Sequence, residues 1–139
     1  MACDSAYNHT GGWQFQGGPK ILKLEKEVAE AVFGVKKAII GGAGDASVLG
    51  QAWEWFTNPV EKAPRLKNSN EFVALTNEGI FTSFNLVNWI RVDQPYYAIG
   101  SGMNFAAGAL EAGKSAYKAV EVAMKFDSST NFKIYEYKL

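Results

Sequence analysis

The sequence holds one cysteine, Cys3, and one histidine, His9, among 139 residues. A single thiol closes no internal disulfide, so no disulfide framework holds this fold, and a reducing compartment suits it. One imidazole excludes zinc sites built from histidine or cysteine pairs, and a Ser-His-Asp triad would rest on His9 alone. Excess charge is missing too: 14 basic and 14 acidic side chains cancel, which removes the basic footprint of a nucleic-acid surface. No apolar run approaches the roughly 20 residues of a membrane span, and Met1 to Pro19 lacks the charged start and apolar middle of a signal peptide. The expectation is a cytoplasmic protein with no membrane or nucleic-acid partner, no metal and no cofactor. What is present is 47% hydrophobic and 14% aromatic residues, enough to bury about two-thirds of the chain's surface in one domain over residues 1–139.

After a polar loop from Ser5 to Pro19, Lys20 to Leu24 reads as a strand, with Glu30 to Phe33 as its partner and apolar residues resuming at Ala38 to Ile40. Gly41 to Gly44 then form a turn into Asp45, a helix N-cap, followed by Val48, Leu49, Ala52, Trp53 and Phe56 at helical spacing. Asn58 to Asn70 holds two prolines and no sustained period, and reads as a loop. Glu71 to Leu75 and Ile80 to Phe84 predict a hairpin closed by Gly79. Val87 to Val92 and Tyr96 to Ile99 predict two more strands. Gly100 to Gly102 opens an alanine-rich helix through Ala112, Ser115 caps a second helix, and Asn131 to Tyr137 closes the chain as a strand. Strands, one helix, strands, two helices and a strand in segregated runs favour an α+β fold over a doubly wound parallel sheet.

Gly108 to Ser115 satisfies the nucleotide-loop expression G-x-x-x-x-G-K-S. A phosphate loop needs a buried strand feeding a glycine turn, whereas Met103 to Ala107 are helix formers, so the segment reads as a helix end followed by a new cap. The turns at Gly41 to Gly44 and Gly100 to Gly102 are more informative, because glycine before a helix exposes amides that can stabilise an oxyanion. Taken singly, each turn more often just lets a strand enter a helix, Cys3 is more often a small buried apolar residue, and Lys20 a solvated charge.

Their arrangement carries more. Met1-Ala2-Cys3-Asp4-Ser5 resembles the second-strand motif of proteasome β subunits and the bacterial HslV peptidase, and Pro19-Lys20-Ile21 follows at the separation this family keeps between its Asp and active-site Lys. Ile39 to Asp45 is similar to the family's glycine turn and first helix, and Tyr97 to Ala106 to its second glycine-serine turn and third helix. The resemblance to N-terminal nucleophile hydrolases implies a shortened four-layer helix, sheet, sheet, helix sandwich. It also implies a homo-oligomer, with a peptide or protein partner and an unfoldase ATPase as candidate associates. It places Asp4 and Lys20 on adjacent strands within ion-pair reach, near Gly41 and Ser101. Asp4 would hold Lys20, Lys20 would lower the pKa of the nucleophile and its amine, Gly41 would offer an oxyanion amide, and Ser101 would support the amine.

A nucleophile has no counterpart in this pattern. The family sets a Thr, Ser or Cys about a dozen residues before the Asp, on a strand paired with the Asp-bearing one, whereas Met1 to Cys3 precede Asp4 here. The family's second long helix also has no counterpart in Asn58 to Asn70. Two functions stay open: a threonine- or serine-type amide hydrolase, and an inactive proteasome-like domain that assembles and binds a partner. An open sheet edge could also accept an added strand, with Trp53, Trp55, Phe56, Trp89, Tyr96 and Tyr97 supplying an aromatic interface.

Overall fold

The structure, a computed structural model, describes residues 1–4, 6–8, 14–18, 20–57, 62–66 and 70–139. Nine strands and four helices are assigned among them: β1 (Ala2–Cys3), β2 (Ala6–Asn8), β3 (Gln14–Gln16), β4 (Ile21–Lys23), α1 (Lys26–Phe33), β5 (Ala38–Ala43), α2 (Ala46–Thr57), β6 (Glu71–Thr76), β7 (Gly79–Ser83), β8 (Ile90–Val92), α3 (Met103–Glu111), α4 (Ala116–Phe126) and β9 (Tyr135–Glu136). The fold is α+β, as expected. An antiparallel five-stranded sheet runs in the order β4-β5-β6-β7-β8, while β1 pairs with β9 and β2 with β3.

β5 divides the structure into two sides. Register pairs Ile40 with Ala74 and Gly42 with Phe72, so Ala38, Ile40, Phe72 and Ala74 share one face, where they pack with Val28 and Ala29 of α1 and Leu49, Ala52 and Phe56 of α2. The glycine turn that leads from β5 into α2 ends at Asp45, whose Oδ1 accepts the N–H of Ser47 at 2.8 Å. The opposite face of the sheet carries Gly41, Ala43, Val73 and Leu75. On that side, α4 packs against both β1 and β9.

Several expectations are corrected. Glu30 to Phe33 is the second half of α1, because Lys26 to Phe33 combines strong helix formers with a Lys26–Glu30 pair at 3.7 Å. Gly34 then closes the helix at φ 69°. The segment from Ser5 to Pro19 contains β2 and β3 rather than loop alone. Val87 to Trp89 stay out of the ladder, since the N–H groups of Val87 and Asn88 donate to Asn85 Oδ1, a local bond that competes with pairing. Tyr96 to Ile99 forms no strand: Tyr96 bonds Glu111 and Tyr97 bonds Glu71 at 2.9 Å. Of Asn131 to Tyr137, the strand covers only Tyr135 and Glu136, with Tyr137 continuing the hydrogen bonding to Met1, because Phe132 turns to φ 68°. The expected aromatic interface is largely internal, with Phe56 buried and Trp53, Trp55 and Trp89 packed on the same core. The hairpin, the helix after Asp45 and the two consecutive helices stand where expected. Of the Asn58 to Asn70 loop, residues 62–66 carry no helix or strand, and residues 58–61 and 67–69 lie outside the described residues.

Phe56 is 1% exposed and Val87 65%. Phe56→Ala is expected to lower the unfolding free energy by about 3–5 kcal/mol, whereas Val87→Ala changes it by less than about 0.5 kcal/mol. Urea denaturation of both variants checks this contrast.

Candidate functional site

The β1 and β4 strands belong to different sheets, and the candidate charges bridge them. Asp4 directly follows β1 and Lys20 directly precedes β4. Lys20 Nζ donates to Asp4 Oδ1 at 2.9 Å, with side chains 19% and 10% exposed. The pair therefore spans two sheets instead of joining neighbours in one. Asp4 Oδ2 also accepts the N–H of Asn131 at 3.0 Å, which ties the approach to β9 into the same point.

Asp127 organises a second cluster beside this pair. Ser101 Oγ donates to Asp127 Oδ2 at 2.7 Å and Thr130 Oγ1 at 2.5 Å, and the N–H of Ser129 reaches Oδ1 at 3.3 Å. Burial is the largest single influence on this carboxyl and pushes its pKa up. The Thr130 and Ser101 hydroxyls, the Ser129 amide and the charge of Lys20 together outweigh it and hold the carboxyl below its ordinary range. Gly102 makes the arrangement possible, because a Cβ there would lie 2.6 Å from Thr130 Oγ1. Sequence reasoning found Ser101 but missed Asp127 and Thr130. Their only signal is the polar run Asp127-Ser128-Ser129-Thr130 after an amphipathic helix, which reads as an ordinary helix end.

Asp4, Lys20, Gly41, Ser101 and Thr130 all border one cavity of about 310 Å³. The four candidate residues are thus brought together. Gly41 faces Met1, whose Sδ would lie 3.1 Å from a Cβ at that position. The N–H of Gly42 donates to Lys20 O at 3.0 Å on the β4 side. Antiparallel alternation therefore directs the N–H of Gly41 to the other side, toward Val73 of β6. The nucleotide-like segment is the helix boundary expected for it: Gly108 lies within α3, Gly113 takes φ 78°, and Ser115 caps α4 by accepting the N–H of Lys118 at 3.3 Å. Among the described residues no group of three His, Cys, Asp or Glu side chains could hold a metal ion, and no helix is long and apolar enough to cross a membrane. His9 and two motif residues, Ser5 and Pro19, lie outside the described residues.

Cys3 borders the same cavity. Burial pushes its thiol up from 9.0 to about 11, and Asp4 adds to the rise, while the backbone amide and charge of Lys20 offset part of it. A raised native pKa means that this thiol's share of stability is full below pH 9.0 and is lost as pH climbs to about 11. At pH 8, alkylation of native Cys3 by iodoacetamide is expected to run about a hundredfold slower than in the urea-unfolded chain. Equal rates by mass spectrometry would contradict the burial of this thiol.

No protein-family model and no curated protein sequence matches the chain. Solved structures do. BPH from Thiobacillus denitrificans, in complex with epoxomicin, matches with a TM-score of 0.72 and 15% identity, covering 96% of this chain and 88% of that one. Eukaryotic HslV from Trypanosoma brucei matches at 0.65 and 18%, again over 96% and 88%. The helically assembled Anbu complex from Pseudomonas aeruginosa matches at 0.69 and 11%, over 96% and 73%. Across 96% of its length this chain has the N-terminal nucleophile hydrolase fold of the proteasome β-like proteins, HslV and Anbu.

Proposed function

We propose that residues 1–139 form one proteasome-β-like domain, a shortened four-layer sandwich. It keeps the supporting groups of an amide-hydrolase site and binds a peptide or protein partner without hydrolysing it. The observation that carries this reading is the Lys20–Asp4 pair at the cavity, set beside hydroxyl and thiol groups that are not activated for attack. A nucleophile needs a base of suitable pKa or a lowered pKa of its own. Cys3 has the opposite, a thiol pushed up to about 11. Ser101 and Thr130 donate to Asp127, a carboxylate held below its ordinary range and hence a poor proton acceptor. The N–H of Gly41 is directed into the ladder, which weakens its role as an oxyanion donor. Asp4, Lys20 and Ser101 then act as a polar frame around the binding cavity, with Asp4 buried, Lys20 half-buried and Ser101 exposed.

The retained Lys20–Asp4 pair beside Ser101 also favours a second reading, an amide hydrolase of the threonine or serine type whose nucleophile is presented to Lys20. One assay separates the two. A capped tripeptide carrying an aminomethylcoumarin leaving group is expected to show no turnover above the buffer blank. Turnover that disappears in Lys20→Ala would establish the hydrolase reading instead.

Self-association belongs to the same proposal. The Anbu complex of Pseudomonas aeruginosa forms a helical assembly, and α3 and α4 of this chain expose Met103, Phe105 and Phe126. Phe105 and Phe126 stack at 5.4 Å between ring centroids, forming an apolar ridge suited to a neighbouring copy in a cytoplasmic homo-oligomer. Within such an assembly an unfoldase ATPase is the further partner that the resemblance implies. Burying Phe126 contributes about 2 kcal/mol, so Phe126→Glu is expected to weaken association at least about thirtyfold. Sedimentation velocity at micromolar concentration reads the shift, and a monomeric wild-type chain would sink the assembly.

A further inference from the structure

β8 is the last strand of the five-stranded sheet, and among the described residues no strand pairs with its outer edge. The direction of its backbone groups follows from the far end of the ladder. The N–H of Gly42 donates to Lys20 O on the β4 side, so the even-numbered residues of β5 bond toward β4 and the odd-numbered ones toward β6. Carried through the registers Gly41 with Val73, Ala74 with Phe81 and Thr82 with Ile90, this alternation turns the N–H and C=O of Ile90 and Val92 toward β7. Those of Arg91 therefore face outward, and Asp93 is the next residue in the same alternation.

Sheet edges are commonly blunted by lysine, proline or a bulge. β8 has none of these: it consists of Ile90, Arg91 and Val92 in unbroken register with β7. Beside it, Phe84, Val87 and Ile90 are 61%, 65% and 61% exposed. The turn that presents the first two is braced from within. Ser83 Oγ accepts the N–H of Leu86 at 3.1 Å, Asn85 Oδ1 accepts those of Val87 and Asn88 at 3.0 and 2.9 Å, and Leu86 is buried.

Charge selects the register in which a second copy fits this edge. Two antiparallel strands related by a two-fold axis normal to the sheet oppose residues of the same face, so the axis passes through a residue. An axis at Arg91 sets two guanidinium groups against each other, and one at Asp93 sets two carboxylates, both unfavourable. An axis at Ile90 opposes Arg91 to Trp89, which lies outside the ladder, and matches neither charge. An axis at Val92 sets Arg91 of each copy opposite Asp93 of the other, so that each opposed pair exchanges backbone hydrogen bonds and forms an ion pair. Among the described residues neither Arg91 nor Asp93 has an ion-pair partner in its own chain. Pro95, without an N–H, ends the pairing.

We propose that β8 pairs with the β8 of a second copy of this chain, in antiparallel register about Val92, and joins two five-stranded sheets into one. A stable dimer covers about 800 Å² on each partner. The strand pair alone covers less, and Phe84, Val87 and Ile90 add apolar area at both ends of it. This interface goes beyond the α3 and α4 ridge described above and shares none of its residues.

Sedimentation velocity of the full chain carrying Phe126→Glu, which disables that ridge, tests the pairing from micromolar to millimolar concentration. A dimer is expected to remain. In that background Asp93→Arg sets like charges opposite each other and should weaken the dimer by about tenfold or more, as should Arg91→Asp. The double variant Arg91→Asp/Asp93→Arg restores opposite charges in the same register and should return the affinity of the parent. Mixing the two single variants, each weak alone, should give a heterodimer. Both residues are exposed, so the fold tolerates these changes. A monomeric Phe126→Glu chain overturns the β8 pairing and leaves the helical ridge standing. A dimer indifferent to the single charge reversals, or one that the double variant does not restore, overturns it as well.

Discussion

The ion pair between Lys20 and Asp4 ties the β1 and β9 sheet to the five-stranded sheet. Its 2.9 Å contact joins the residue before β4 to the residue after β1, and the second carboxylate oxygen of Asp4 reaches the backbone of Asn131. Segments 16 and 127 residues apart are thereby held at one carboxylate. With side chains only 19% and 10% exposed, most of the hydration of both charges is gone, and removing either partner would take this compensation from the other. That loss costs about 3–5 kcal/mol for a fully buried pair and less where water still reaches it. A pair with this structural duty persists whether or not the site performs chemistry.

The division of labour across β5 follows from its glycines. On the face toward α2, a Cβ at Gly42 would meet Leu49 Cδ2 at 2.5 Å and both Phe72 and Trp53 at 3.2 Å, so sheet and helix approach as closely as packing allows. On the other face Gly41 leaves room that the Met1 side chain partly takes, and the space beyond it remains open as the cavity. Stability is concentrated where α1 and α2 cover the sheet. The cavity lies on the other side, between β1, the five-stranded sheet and the helices α3 and α4.

How far the sequence alone reached depended on whether structure was local. The hairpin at Thr76 to Gly79, the helix after Asp45 and the cap at Ser115 are set by residues within four positions of each other, and their signals were readable. Glu30 to Phe33 misled because valine and phenylalanine suit a strand, while the evidence for helix lay upstream in Lys26 to Ala29. Val87, Asn88 and Phe132 were misplaced because one side-chain acceptor or one left-handed residue outweighs β propensity over a short run. The site was legible only in part, for a similar reason. Asp4, Lys20, Gly41 and Ser101 sit in recognisable patterns, but Asp127 gains its meaning from Ser101, 26 residues away, and from the room at Gly102. No pattern along the chain encodes that meeting.

The cavity bears on folding as well as on binding. Lys20, Ser101 and Thr130 give water in the cavity hydrogen-bonding partners at one end. The side chains of Val73, Leu75 and Leu110, which also line it, offer water no such partners. Any segment that fills it therefore gains both the burial of its own surface and the removal of a defect in its host. A ligand held there would stabilise the fold by mass action, because the cavity is formed by segments that only the folded chain brings together.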